Sequence, residues 1–162
     1  MRRLAALVLT AFATAVLPLG AQATHPNFSG SWSLDTSKLE GPLMQAGVTS
    51  ATLKISQDEK TMKQDQSIAM AMGTQSSSET YNLDGTESKN TITQGPQSIE
   101  LTSTTSWDGP ALVISTKGDL QGTPLVRTDR YALDASGKVL TIDSSMSVMG
   151  QSLSFKQTFN KP

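Results

Sequence analysis

A chain of 162 residues with no cysteine can form no disulfide and carry no lipid anchor on an N-terminal cysteine, so a packed core and a main-chain ladder must hold it together. Its net charge is −1 and its Lys and Arg residues are scattered singly among Ser and Thr. Nucleic-acid binding, which needs a clustered basic face to displace counterions, is therefore set aside.

Residues 1–23 read as an export leader: Arg2 and Arg3, an apolar run from Leu4 to Leu19, then Ala21-Gln22-Ala23, the small-x-small pattern that a signal peptidase cuts. The mature chain is expected to start at Thr24. Removing 23 of 162 residues leaves 139, the length of one domain, and loss of the two arginines takes the charge from −1 to −3. The residues around Arg2-Arg3 do not complete a twin-arginine signal, so general export to the periplasm or the exterior is expected. No later segment is apolar for long enough to suggest a membrane span.

The mature chain alternates apolar and polar residues in short runs rich in Thr, Val, Ile and Leu, broken by Gly, Asp and Asn. Strands buried on one face have that pattern. In chain order the expected strands are Ser29 to Leu34, Ala51 to Gln57, Thr61 to Met72, a strand ending at Tyr81 to Leu83, and a weaker one from Glu87 to Thr93. Ile99 to Trp107 and Ala111 to Lys117 follow, joined by an Asp108-Gly109 turn. Leu125 to Leu133, Val139 to Met146 and Ser152 to Phe159 complete about ten. Between the first two strands, Lys38 to Gly47 is a loop or a short helix at one end, because Gly41-Pro42 and Gly47 oppose a long one. Period two puts Phe28, Gly30, Trp32 and Leu34 on one face, and likewise Leu140 with Ile142 and Met146, and Leu153 with Phe155 and Phe159. Ten such strands leave raw edges unless they close, so the expected fold is all-β, a single antiparallel up-and-down barrel.

Phe28 and Gly30-Ser31-Trp32 on the first strand resemble the G-x-W signature of the lipocalin and fatty-acid-binding (calycin) superfamily. The layout from 27 to 160, with Trp107-Asp108-Gly109 and Arg130-Tyr131-Ala132-Leu133 in the later strands, is similar to bacterial exported lipocalin-like proteins of unassigned function. The resemblance implies a barrel whose tryptophan closes one end and whose apolar interior binds a small molecule. Two departures qualify it. The last strand offers only Lys156 where related barrels place an arginine over the tryptophan, and Gln157-Thr158-Phe159 stands where intracellular fatty-acid binders carry R-x-Y for a carboxylate.

On the third strand one face carries Met62, Gln64, Gln66, Ile68, Met70 and Met72, a mixture of flexible thioethers and amides that suits an amphipathic ligand, and equally a core with glutamines near a mouth. Met70 and Met72, two apart, also fit Cu(I), with Met146 and Met149 as further soft donors, although His25 is the only histidine. Arg127 shares a face with Asp129, Tyr131 and Leu133; it can fork onto a ligand carboxylate or phosphate, or simply pair with Asp129, while Arg130 points the other way. A Ser-His-Asp triad would have to recruit His25, and no serine sits at a strained nucleophile turn, so no catalysis and no cofactor are expected. The sequence thus describes an exported monomer that binds a small apolar or amphipathic molecule through Met62, Gln64, Gln66, Met70, Arg127, Tyr131 and Phe155. The other class is a protein-interaction module, an inhibitor or envelope factor, whose barrel is filled by its own side chains.

Overall fold

The computed structural model describes residues 25–162 apart from 95, 96, 121 and 149. The expected leader and Met149 lie outside the described residues. Ten strands form one antiparallel sheet: β1 (Gly30–Leu34), β2 (Val48–Gln57), β3 (Thr61–Met70), β4 (Gly73–Asn82), β5 (Ser88–Gln94), β6 (Gln97–Asp108), β7 (Ala111–Leu120), β8 (Thr123–Leu133), β9 (Val139–Val148) and β10 (Gln151–Asn160). All ten expected strands are present. A single 3₁₀ turn (Thr36–Lys38) and the four-residue helix α1 (Pro42–Gln45) occupy the expected connection between β1 and β2.

The turns form where side chains can replace missing main-chain partners. Asp58 accepts from the amides of Lys60 and Thr61, and Asp134 accepts from those of Lys138 and Val139. These bonds, led by the one from the Ser136 hydroxyl, hold the Asp134 carboxyl down at about 2. Asp108-Gly109 makes the expected β6–β7 hairpin, with Gly109 at φ 59°, where a Cβ would be strained. One expectation fails at a turn: β3 stops at Met70, and Met72 is wholly exposed. The chain must reverse there into Gly73, so the alternation no longer decides where Met72 points.

Strand order is β4-β3-β2-β1-β10-β9-β8-β7-β6-β5, with neighbours paired antiparallel. Pairing of β1 with β10, Leu34 opposite Phe159, brings the two halves together. Only β4 and β5 lack a shared ladder among the described residues, and the seam between them is tied at one end by side chains. Asn90 accepts from the Thr80 amide at 2.7 Å and donates to its carbonyl at 3.0 Å, reproducing with one amide what a paired strand would supply. Ser88 Oγ accepts from the Asn82 amide at 2.7 Å, and Thr105 Oγ1 donates to the Asn82 carbonyl at 2.6 Å.

These ties lie at the end of the barrel where the chain enters β1 and leaves β10, which is also where the main core sits. Phe28, Trp32, Leu53, Met62, Leu140 and Phe159 are buried together there, each contributing about 1.5–3 kcal/mol by leaving water. Trp32 donates from Nε1 to the Phe28 carbonyl at 3.0 Å. Over its ring lies Lys161 Nζ, 4.8 Å from the centroid. Lys161, one residue beyond β10, thus takes the position for which the sequence offered Lys156; Lys156 instead pairs on the surface with Asp143 at 3.3 Å. Gly30 makes room for it: at φ 144° its Cβ would stand 2.6 Å from Lys161 Cε. His25 stacks on Trp107 at 4.0 Å and closes the same end.

Candidate functional site

Toward the opposite end the strands lose their burial. The first four residues of β10 are all exposed, including Leu153, which is 43% exposed although its alternation puts it on the core-facing side. A second, smaller apolar cluster of Ile99, Leu101 and Leu125 remains there. Between the two clusters lies a polar layer that crosses the barrel. Arg127 on β8 places Nη2 3.2 Å from Glu79 Oε1 and 3.4 Å from Tyr81 Oη on β4, and its Nε 2.7 Å from Asp129 Oδ2. The Nε contact is close, but the N–H points off the line to the oxygen, so it is an ion pair without a directed hydrogen bond. Ser144 on β9 donates to Asp129 Oδ1 at 2.7 Å, and Tyr131 donates to Gln64 Oε1 on β3 at 2.7 Å.

Strand alternation explains the layer. Arg127, Asp129 and Tyr131 occupy successive inward positions on β8; Gln64 opposes Glu79 and Met62 opposes Tyr81 across β3 and β4. Burial is the largest influence on Asp129, Arg127 and the two tyrosines. It raises the Asp129 carboxyl above its ordinary range, with Arg127 and Ser144 opposing. It acts to lower Arg127, but the negative fields of Asp129 and Glu79 outweigh it and hold the guanidinium charged. It raises both tyrosines, whose phenols stay protonated.

Above this layer is a cavity of about 350 Å³ lined by Gln66, Ile68, Ser77, Glu79, Ile92 and Arg127 from the inward positions, with Thr74, Gln75, Ser76 and Thr93 at its edge. It opens along the untied part of the β4–β5 seam. A larger concavity, about 690 Å³, runs over the outside of β1 to β4 between hydroxyls such as Ser31, Ser33, Thr52 and Ser67. It is an open trough, so volume alone does not choose the site; the inner cavity is less open and brings two isoleucines together with convergent charge.

Of the seven residues singled out in the sequence, Gln66 and Arg127 line the inner cavity. Gln64 and Tyr131 are buried in the polar layer beneath it, and Met62 is buried in the core at the closed end. Met70, at the end of β3, and Phe155, beside a shallow concavity with Ser144 and Lys156, are half-buried and outside its lining. Arg127 pairs with Asp129, the simpler of its two readings, and Arg130 pairs outside with Asp108. Sequence reasoning missed Glu79 and Asn90. Glu79 had a signal, since Ser77, Glu79 and Tyr81 alternate on one face; Asn90 had none, because its role depends on an unladdered neighbour.

A sheet of ten meandering strands, closed by β1 on β10 and plugged at one end by Trp32, decides the architecture. The fold is that of the fatty-acid-binding and lipocalin barrels. Among solved structures, a mutant of the fluorescent protein UnaG is similar with a TM-score of 0.53 and 16% identity, over 83% of this chain and 96% of that one. Secretory abundant heat soluble protein 4 from Ramazzottius varieornatus is similar at 0.52 and 16%, over 88% and 99%. A further secretory abundant heat soluble protein from that organism, from a dimer sample, gives 0.51 and 16%, over 88% and 100%. No family profile and no curated protein matches the chain.

Proposed function

We infer that this is an exported carrier that holds a small amphipathic molecule in the cup above the Arg127 layer. The observation that supports this most is the coincidence of a cavity inside the barrel with the charged cluster at its base. Ligand carbon would leave water against Ile68 and Ile92 at ~25 cal/mol per Å², while Gln66, Arg127 and Glu79 set orientation. A barrel of the same fold, matched over 83% of this chain, supports the reading at the level of a ligand-binding architecture. The leader at 1–23 would place the carrier in the periplasm or outside the cell, acting as a monomer without chemistry of its own. The filled-barrel alternative is favoured by nothing in the cup, although the half below the polar layer is filled by its own side chains. The copper alternative relied on two thioethers on one strand face, and Met72 lies beyond the strand.

Native mass spectrometry of the protein purified from its own source tests both halves of the proposal. The expected result is the mass of residues 24–162 plus a small increment that leaves on denaturation. An uncleaved mass would remove the export reading, and a bare mass after gentle purification would count against a carrier.

A further inference from the structure

The charges at the base of the cup do not balance, and the less compensated of its two carboxylates is on the wall the ligand would meet. One guanidinium, Arg127, faces two carboxylates, Glu79 on the cavity wall and Asp129 outside its lining, and apart from Arg127 and Glu79 no charged residue lines the cavity among the described residues. The two carboxylates are not equally served. Asp129 accepts from the Ser144 hydroxyl at 2.7 Å and has the charge of Arg127 Nε 2.7 Å away, without a directed hydrogen bond. Among the described residues Glu79 has a single donor, Arg127 Nη2, at 3.2 and 3.5 Å from its two oxygens, although it is only 3% exposed. A carboxylate offers about four acceptor positions, and a buried one with a single long contact is under-compensated. Glu79 lines the cavity, so those acceptor positions adjoin the space where a ligand head would lie.

Resting on the carrier reading above, we propose that the head group this cup selects is a protonated amine rather than a carboxylate. An ammonium N–H entering the cavity supplies the donor that Glu79 lacks and cancels the excess negative charge of the cluster. A ligand carboxylate reaching for Arg127 would meet the Glu79 carboxylate beside it on the same wall. The apolar body of the amine would lie against Ile68 and Ile92 toward the open end, where half-buried apolar side chains stand ready to cover it.

The test compares three probes with the same ten-carbon chain, decylamine, decanol and decanoate, titrated calorimetrically into the wild-type protein at neutral pH. Decylamine is expected to bind roughly tenfold or more tighter than decanol, with decanoate weakest. Equal binding of amine and alcohol, or a preference for decanoate, would overturn the amine inference while leaving the cup as a binding site. Failure of all three to bind would overturn the carrier reading and the inference together. The substitution Glu79→Gln keeps the shape and removes the charge, so in a folded variant it should narrow the amine-to-alcohol ratio toward unity; an unchanged ratio would dismiss Glu79 as the determinant. Should that variant not fold, the wild-type ranking still decides the head group.

Discussion

The two ends of this barrel are built from the same ten strands but on different terms. At the Trp32 end, turns are held by aspartates, the β4–β5 seam is tied by Asn90 and Ser88, and large apolar side chains are wholly buried. At the other end the inward positions of β3, β4 and β10 pass from buried to partly or fully exposed, and the seam has no ties among the described residues. The difference teaches a division of labour: one half supplies the folding free energy, which frees the other to keep a cavity that a fully packed core would not tolerate. The Arg127 layer is the boundary between them.

The largest test of that division is a pair of truncations. Trp32→Ala should cost about 3–5 kcal/mol in a urea titration, whereas Met72→Ala at the open rim should stay within about 0.5 kcal/mol. Comparable losses at both sites would erase the contrast. Next, removing the cation of the boundary layer with Arg127→Met should cost about 3–5 kcal/mol, because Glu79 and Asp129 are left buried without a countercharge. Adding Glu79→Gln and Asp129→Asn to it should restore most of the loss; if the triple variant is no better than the single one, the layer acts through packing rather than charge.

The buried tyrosines give the layer a pH signature. Their phenols are raised above the ordinary value of 10.0 in the folded chain by burial, so the folded state binds those protons more tightly than the unfolded one. Stability from this source is complete below pH 10 and declines above it as the unfolded tyrosines ionise, by about 1.4 kcal/mol per tyrosine one unit higher. Replacing Tyr81 and Tyr131 with Phe should flatten that alkaline decline. The smallest effect sharpens the role of the seam: Asn90→Ala should cost about 1–2 kcal/mol and speed exchange of the Thr80 amide. A protected Thr80 amide in that variant would show that the seam is held by something other than this side chain.

Much of the closed half was legible in the sequence, because period-two alternation and Asp/Gly turns are local signals. Trp32 and Phe28 fell on the apolar face of the first strand and Phe159 on that of the last by counting alone, and Asp108-Gly109 marked its hairpin. The open half was less legible, since alternation says which face a residue occupies but not whether anything covers that face. Leu153 and Met70 show this: both lie on inward positions, and neither is fully buried. The partnership of Arg127 with Asp129 was readable because both are on β8, two residues apart. Its partnership with Glu79 spans 48 residues and depends on barrel closure, for which no local pattern exists. Lys161 was missed for a related reason, since it lies one residue past the last strand and reaches Trp32 only through the space left at Gly30.

The claim on which the account turns is that ligand enters the cup and not the outer trough. Amide chemical-shift mapping of the ¹⁵N-labelled protein during titration with decanol tests it directly, independently of head-group charge. The expected perturbations cluster at Gln66, Ile68, Ser77, Glu79, Ile92 and Arg127 and fade toward Trp32. Shifts centred instead on Ser31, Ser33, Thr52 and Ser67, or none at saturation, would contradict it.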